Sequence, residues 1–96
     1  MLKFMKKFEG VKIEKDTKVF STQYIKVKNY DCRHEVWEWD GITGQSLIFY
    51  KSDFKEPVEE NILSICEEHI GEDFDDSKHT FKLSGDYVFF NYNFDS

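Results

Sequence analysis

One stretch of helical periodicity stands alone in this sequence, between two blocks whose apolar residues alternate as in β-strands. Pro57, the only proline, opens the stretch, and Gly71 follows its last apolar residue. Proline is tolerated in the first turn of a helix, and glycine is favoured just after the last turn. The sequence therefore predicts one amphipathic helix over residues 57–70. Its apolar face, at spacings of three and four, comprises Val58, Ile62, Leu63, Ile65, Cys66 and Ile70.

The block before this helix predicts strands. Residues 19–30 alternate in polarity and predict one strand with a single wet face. Residues 34–40 and 45–51 are rich in aromatic and β-branched side chains and flank a Gly-containing loop, so they predict a hairpin. If Trp39 lies opposite Gln45, both tryptophans share one face with Leu47 and Phe49.

The block after the helix predicts a second hairpin. Its arms are residues 79–83 and 87–94, turned at residues 84–86. The last arm carries apolar side chains on both faces, which is typical of a central strand. Ninety-six residues suit one domain. We therefore expect a single α+β domain over residues 1–96, a mostly antiparallel sheet with the helix packed on one face.

Composition excludes several classes of protein. The chain is 40% hydrophobic and 18% aromatic, which excludes disorder, and it contains no apolar run long enough to cross a membrane. Residues 1–10 lack the apolar segment of a secretory signal, and two cysteines make no disulfide framework. We expect a cytoplasmic protein. The absence of Ala and the excess of Lys over Arg indicate AT-rich coding, as in some bacteria and phages.

Charge is divided unevenly along the chain. Residues 1–30 contain eight Lys and three acidic residues, whereas residues 31–96 contain five basic and sixteen acidic residues. The acidic part repels nucleic acid at long range and attracts basic partners. Direct binding of nucleic acid is therefore disfavoured, and a basic protein, such as a nucleic-acid-binding enzyme, is the expected partner.

The carboxylates of the helix and the following loop predict the surface that binds this partner. Helical neighbours four residues apart lie roughly 6 Å from each other, a spacing comparable with that of phosphates along a nucleic-acid strand. A non-enzymatic inhibitor that mimics nucleic acid is the leading hypothesis. It rests on an analogy of size and charge with phage anti-defence proteins and toxin immunity proteins. The predicted residues are Glu56, Glu60, Glu67, Glu68, Glu72, Asp73, Asp75 and Asp76.

Aromatic residues provide a second hypothesis. Ten Phe, five Tyr and two Trp exceed what one face of a small sheet needs, so some are expected at the surface. Such a patch would suit a protein interface or a homodimer, and the aromatic last strand keeps a structural homo-oligomer as an alternative function. The neighbouring Lys26 and Lys28 keep a nucleic-acid platform as a further alternative. The predicted patch comprises Tyr24, Tyr30, Tyr50 and Tyr92.

Catalytic and metal-binding alternatives have weaker support. Cys66 and His69 share a helix face and could form a nucleophile and base, and the Trp hairpin could bind a small ligand. Adding Cys32 and His34 gives four zinc ligands, but without the usual spacing. The loop around Asp73 lacks the Gly and Glu of a calcium loop, and no phosphate-binding motif occurs. We therefore predict no enzyme activity, metal or cofactor.

Overall fold

A computed structural model describes residues 8, 10, 11 and 13–94. Five antiparallel strands form one sheet in the order β1-β2-β3-β5-β4, and a single α-helix connects β3 to β4. This arrangement confirms the predicted α+β fold. The elements are β1 (Lys18–Val27), β2 (Tyr30–Trp39), β3 (Ile42–Tyr50), α1 (Val58–Ile70), β4 (His79–Ser84) and β5 (Tyr87–Asn93).

The helix lies where the spacing of apolar residues in the sequence predicted it. Pro57 precedes the first helical residue, and Gly71, with a φ of 88°, ends the helix in a conformation that glycine adopts without steric cost. The inward face buries Val58, Ile62, Ile65 and Cys66. These side chains pack on one face of the sheet, which we call the helix face. Its buried residues include Cys32, Leu47, Phe49, Val88 and Phe90.

The long strand predicted over residues 19–30 is a strand only as far as Val27, and Tyr30 already belongs to the next strand. Lys28 and Asn29 have φ values of 48° and 73°, so they form a two-residue turn between β1 and β2. Tight hairpins favour such positive φ values, and Asn tolerates them better than most residues. The prediction was wrong here because the turn contains no glycine.

The Trp hairpin was predicted correctly, but its register was wrong. The turn is Asp40-Gly41, with φ values of 53° and 79°, and Trp39 pairs with Ile42 rather than with Gln45. A shift of three residues reverses which face each side chain occupies, because side chains alternate along a strand. Both tryptophans therefore lie on the face opposite α1, away from Leu47 and Phe49. We call this the open face.

Among the described residues, Phe8 and its neighbours cover one part of the open face. Phe8 packs against Ile48 and Phe89 in a second small core, with Val11 beside it. Because Phe89 belongs to this core and Phe90 to the helix-face core, β5 is apolar on both sides, as predicted. Within the described residues, no helix is long and apolar enough to cross a membrane.

Candidate functional site

All eight predicted acidic residues are exposed. They lie on the segment before α1, on the outward face of α1, and on two short 3-10 turns that follow it, Gly71–Asp73 and Asp76–Lys78. We call residues 56–76 the acidic surface. This segment contains nine carboxylates, the eight predicted ones and Glu59, and no Lys or Arg. Its charge results from the helix burying its apolar face and turning the polar one to solvent.

Few of these carboxylates are neutralised by neighbours in the described part of the chain. Glu68 accepts a hydrogen bond from Lys28 Nζ at 3.0 Å, and Asp76 lies 3.7 Å from Nδ1 of His79. Asp75 accepts hydrogen bonds from the side chain and backbone of Ser77, which lower its pKa. Most carboxylates of the acidic surface are therefore exposed without a cation beside them in the described part of the chain.

A buried tyrosine anchors the loop after α1, which carries the C-terminal part of the acidic surface. The Tyr92 hydroxyl accepts a hydrogen bond from the Asp75 backbone N–H at 2.6 Å and donates to the Asp73 carbonyl at 3.2 Å. Phe74, between these residues, stacks on the Tyr92 ring with 5.5 Å between ring centroids. The loop is thus held to the helix face of the sheet from below, with its carboxylates outward.

This placement corrects the predicted aromatic patch. Tyr92 is only 5% exposed and belongs to the core, because its position in β5 faces α1 and its hydroxyl finds partners in the loop. The other three tyrosines do not form one patch. Tyr30 stacks on Phe54 at 4.4 Å, whereas Tyr50 stacks on Phe8 at 4.5 Å on the open face. Tyr24 is 57% exposed, beside Phe8.

The cysteine and histidine residues are also dispersed. Cys66 is buried in the core, whereas His69 is exposed, so the two residues considered as an alternative nucleophile and base do not share an accessible site. Burial raises the pKa of Cys32 to about 12, and burial, with Cys32 nearby, raises the pKa of Cys66. Both therefore stay protonated near neutral pH. Within the described ranges, no three His, Cys, Asp or Glu side chains converge on a possible metal site.

The structure contains a groove beside the Trp hairpin, the segment for which the sequence left binding of a small ligand as an alternative. A cavity of about 280 Å³ lies on the open face, between residues of the segment 13–17 and residues of strands β2 to β5. Its volume is close to the lower limit for small-molecule sites. Residues that line it include Glu35, Trp37, Trp39, Ser46, Phe89 and Asn91.

A buried carboxylate lies in this groove. Glu35 is 1% exposed, and its Oε2 accepts hydrogen bonds from Arg33, at 2.7 Å from Nε and 2.6 Å from Nη2. Among the described residues, none donates a hydrogen bond to Oε1. Burying a charge is unfavourable unless it is paired, and Arg33 provides that pairing. Oε1 is then the oxygen that can accept a hydrogen bond from a bound molecule.

A chain of hydrogen bonds crosses the groove floor. Trp37 Nε1 donates to Ser46 Oγ at 2.8 Å, and Ser46 Oγ donates to Asn91 Oδ1 at 2.6 Å. With Oδ1 used as an acceptor, the amide nitrogen of Asn91 remains as a donor. Glu35, Ser46 and Asn91, polar residues within the predicted strands, were the signal in the sequence. They could not be combined because the predicted register separated them.

Comparisons with known protein families, with curated protein sequences and with solved structures find no match to this chain.

Proposed function

We propose that this chain is a non-enzymatic interaction protein whose acidic surface binds a basic site on a macromolecular partner and blocks it. The observation that carries the proposal is the exposure of nine carboxylates over residues 56–76, a segment without Lys or Arg. A surface of this charge attracts a cationic partner at long range and accelerates encounter. The partner's cationic groove is the kind that otherwise holds nucleic-acid phosphates.

The placement of charge on α1 supports a role in binding rather than in stability. Glu67 and Glu68 lie in the last turn, where the negative end of the helix dipole disfavours carboxylates by about 0.3–1 kcal/mol each. Only Glu68 is compensated by a lysine within the described chain, Lys28. A contact between Glu67 and the partner would account for a carboxylate at this unfavourable end of the helix.

The rigidity of the loop supports the same conclusion. Phe74 packs against the core cluster and Tyr92 holds the backbone at Asp73 and Asp75, so the carboxylates are displayed from an anchored loop. A preorganised surface loses less entropy when it binds than a flexible one does. We further propose a cytoplasmic location, because Cys32 and Cys66 are buried free thiols.

The decisive experiment compares two variants with matched charge. The first carries Glu60→Gln, Glu67→Gln, Asp73→Asn and Asp76→Asn. These changes leave intact the hydrogen bonds from Ser77 to Asp75 and the ion pair between Glu68 and Lys28. The control carries Asp16→Asn, Asp40→Asn, Asp53→Asn and Asp86→Asn, four exposed carboxylates outside the acidic surface. Each immobilised protein is used to capture partners from bacterial lysate at increasing NaCl, followed by mass spectrometry.

We expect the unmodified chain and the control to retain a shared basic partner that dissociates as salt rises, and the first variant to lose it. Equal loss in both variants would mean that net charge alone acts. Retention by the first variant, or capture of nothing at low salt, would contradict the proposal. Salt-insensitive self-association on a sizing column would instead favour the homo-oligomer.

A further inference from the structure

The groove on the open face has balanced charge. Glu35 is paired with Arg33, and Glu14, at the rim, is bonded to Lys82 from β4. Each acidic side chain among the described residues of the groove wall therefore has its own cation. A charged ligand would have to break one of these pairs or remain uncompensated, which is unfavourable in a partly desolvated site. The groove is suited to a neutral ligand.

The groove floor offers both an acceptor and a donor. Oε1 of Glu35 can accept a hydrogen bond, and the amide nitrogen of Asn91 can donate one. Glu35 and Ser46 face each other across β2 and β3, and Ser46 faces Asn91 across β3 and β5. The two groups therefore lie on one line across three strands. A hydroxyl group both donates and accepts, so separate hydroxyls on one ring can bond to these two groups.

The groove also has an aromatic wall. Trp39 is 46% exposed, and Trp37 lies two residues before it, on the same face of β2. An exposed indole can cover the C–H face of a ring while hydroxyls at its edge bond to polar groups. The groove volume of about 280 Å³ accommodates one such ring with its hydroxyl groups.

We propose that this groove binds a neutral, hydroxyl-rich ring molecule of monosaccharide size. Its C–H face would lie on Trp39 and its hydroxyls would bond to Glu35 and Asn91. The site is independent of the acidic surface, since α1 covers the opposite face of the sheet. The proposal concerns binding only, without a chemical reaction. Loss of ligand binding in the groove would leave the proposed function of the acidic surface unaffected, and the reverse also holds.

Titration followed by NMR of the indole N–H groups tests the proposal. The probes are methyl glycosides of glucose, galactose, mannose and N-acetylglucosamine, with choline as a cationic and acetate as an anionic comparison. We expect at least one glycoside to shift the Trp37 and Trp39 signals saturably. A dissociation constant on the order of 1–10 mM is expected for so few contacting atoms.

Two variants and a control locate the binding. Trp39→Ala should weaken it roughly three- to tenfold, the value of one aromatic contact. Asn91→Asp keeps the acceptor for Ser46 but removes the donor, and should weaken binding about tenfold. Leu83→Ala removes a side chain that is 53% exposed on the helix face, and should leave binding unchanged. Circular dichroism verifies that each variant is folded.

Three results would overturn the proposal. The first is the absence of a saturable shift with any of the four glycosides. The second is saturation by choline or acetate alone, which would show that one of the ion pairs opens for a charged ligand. The third is glycoside binding that Trp39→Ala and Asn91→Asp leave unchanged, which would place the ligand elsewhere.

Discussion

Gly44 and Trp37 lie opposite each other on adjacent strands, and a β-carbon on Gly44 would lie 2.7 Å from two atoms of the Trp37 indole. The backbone oxygen of Tyr92 lies 2.8 Å from the same point. Such distances are far below van der Waals contact. Glycine at this position therefore allows the indole to lie across the strand and to reach Ser46, which forms the groove floor.

We predict that Gly44→Ala destabilises the protein by about 1–3 kcal/mol, as overpacking in a core does. The rigid indole is held by its hydrogen bond to Ser46, and the carbonyl belongs to the backbone, so neither yields easily. Urea denaturation measures the loss, and tryptophan fluorescence reports displacement of Trp37. Ser21→Ala, at an exposed position of β1, serves as the control. Unchanged stability and emission would disprove the close contact.

A second prediction concerns Tyr92→Phe. Removing the hydroxyl deprives the Asp75 backbone N–H of its acceptor, and should cost about 1–2 kcal/mol of stability. The ring and its stacking with Phe74 remain, so the fold should persist. Hydrogen exchange at the Asp75 amide should accelerate, and partner affinity should fall if the loop must be anchored. Normal protection of that amide would show that the hydroxyl does not hold the loop.

The helix dipole gives a third prediction, with opposite signs at the two ends of α1. Glu59→Gln, in the first turn, should lower stability by some tenths of a kcal/mol, and Glu67→Gln, in the last turn, should raise it by about the same. Thermal denaturation at low salt measures both changes. Added NaCl should reduce each difference. Destabilisation by Glu67→Gln would indicate an intramolecular role that the structure does not contain.

The buried thiols give a fourth prediction. Cys32 and Cys66 should react with iodoacetamide only after denaturation, because burial withholds both access and the thiolate form. The raised pKa of Cys32 stabilises the fold fully below the ordinary value of 9.0, and this contribution is lost as pH rises towards about 12. The raised pKa of Cys66 acts in the same direction. In that window the unfolded chain releases protons that the folded chain keeps.

Urea denaturation at neutral pH and at about pH 10.5 measures this effect, which is limited to about 1.4 kcal/mol per pH unit for each thiol. Cys32→Ala is the control: it costs stability at both pH values but should show a smaller decrease between them. Rapid alkylation of the native protein, or an equal decrease in the variant, would contradict the prediction.

How much the sequence revealed depended on how local each signal was. The helix was predictable because Pro57, Gly71 and a period near 3.6 all lie within one short segment. The exposure of the eight acidic residues followed from that same helix and its loop. The turn at Lys28 and Asn29 was missed because its only local signal was a lone Asn, without the Gly that usually marks such turns.

The sequence by itself determined the element types, the amphipathic helix and the uneven charge, because these are set by neighbours along the chain. Only the tertiary structure decided the strand register, and with it the face on which the tryptophans lie. Ser46 and Asn91 meet although 45 residues separate them, since β3 and β5 pair across the inserted helix. Side chains alternate along a strand, so an odd shift in pairing moves them to the other face. The groove therefore exists only once the sheet has assembled.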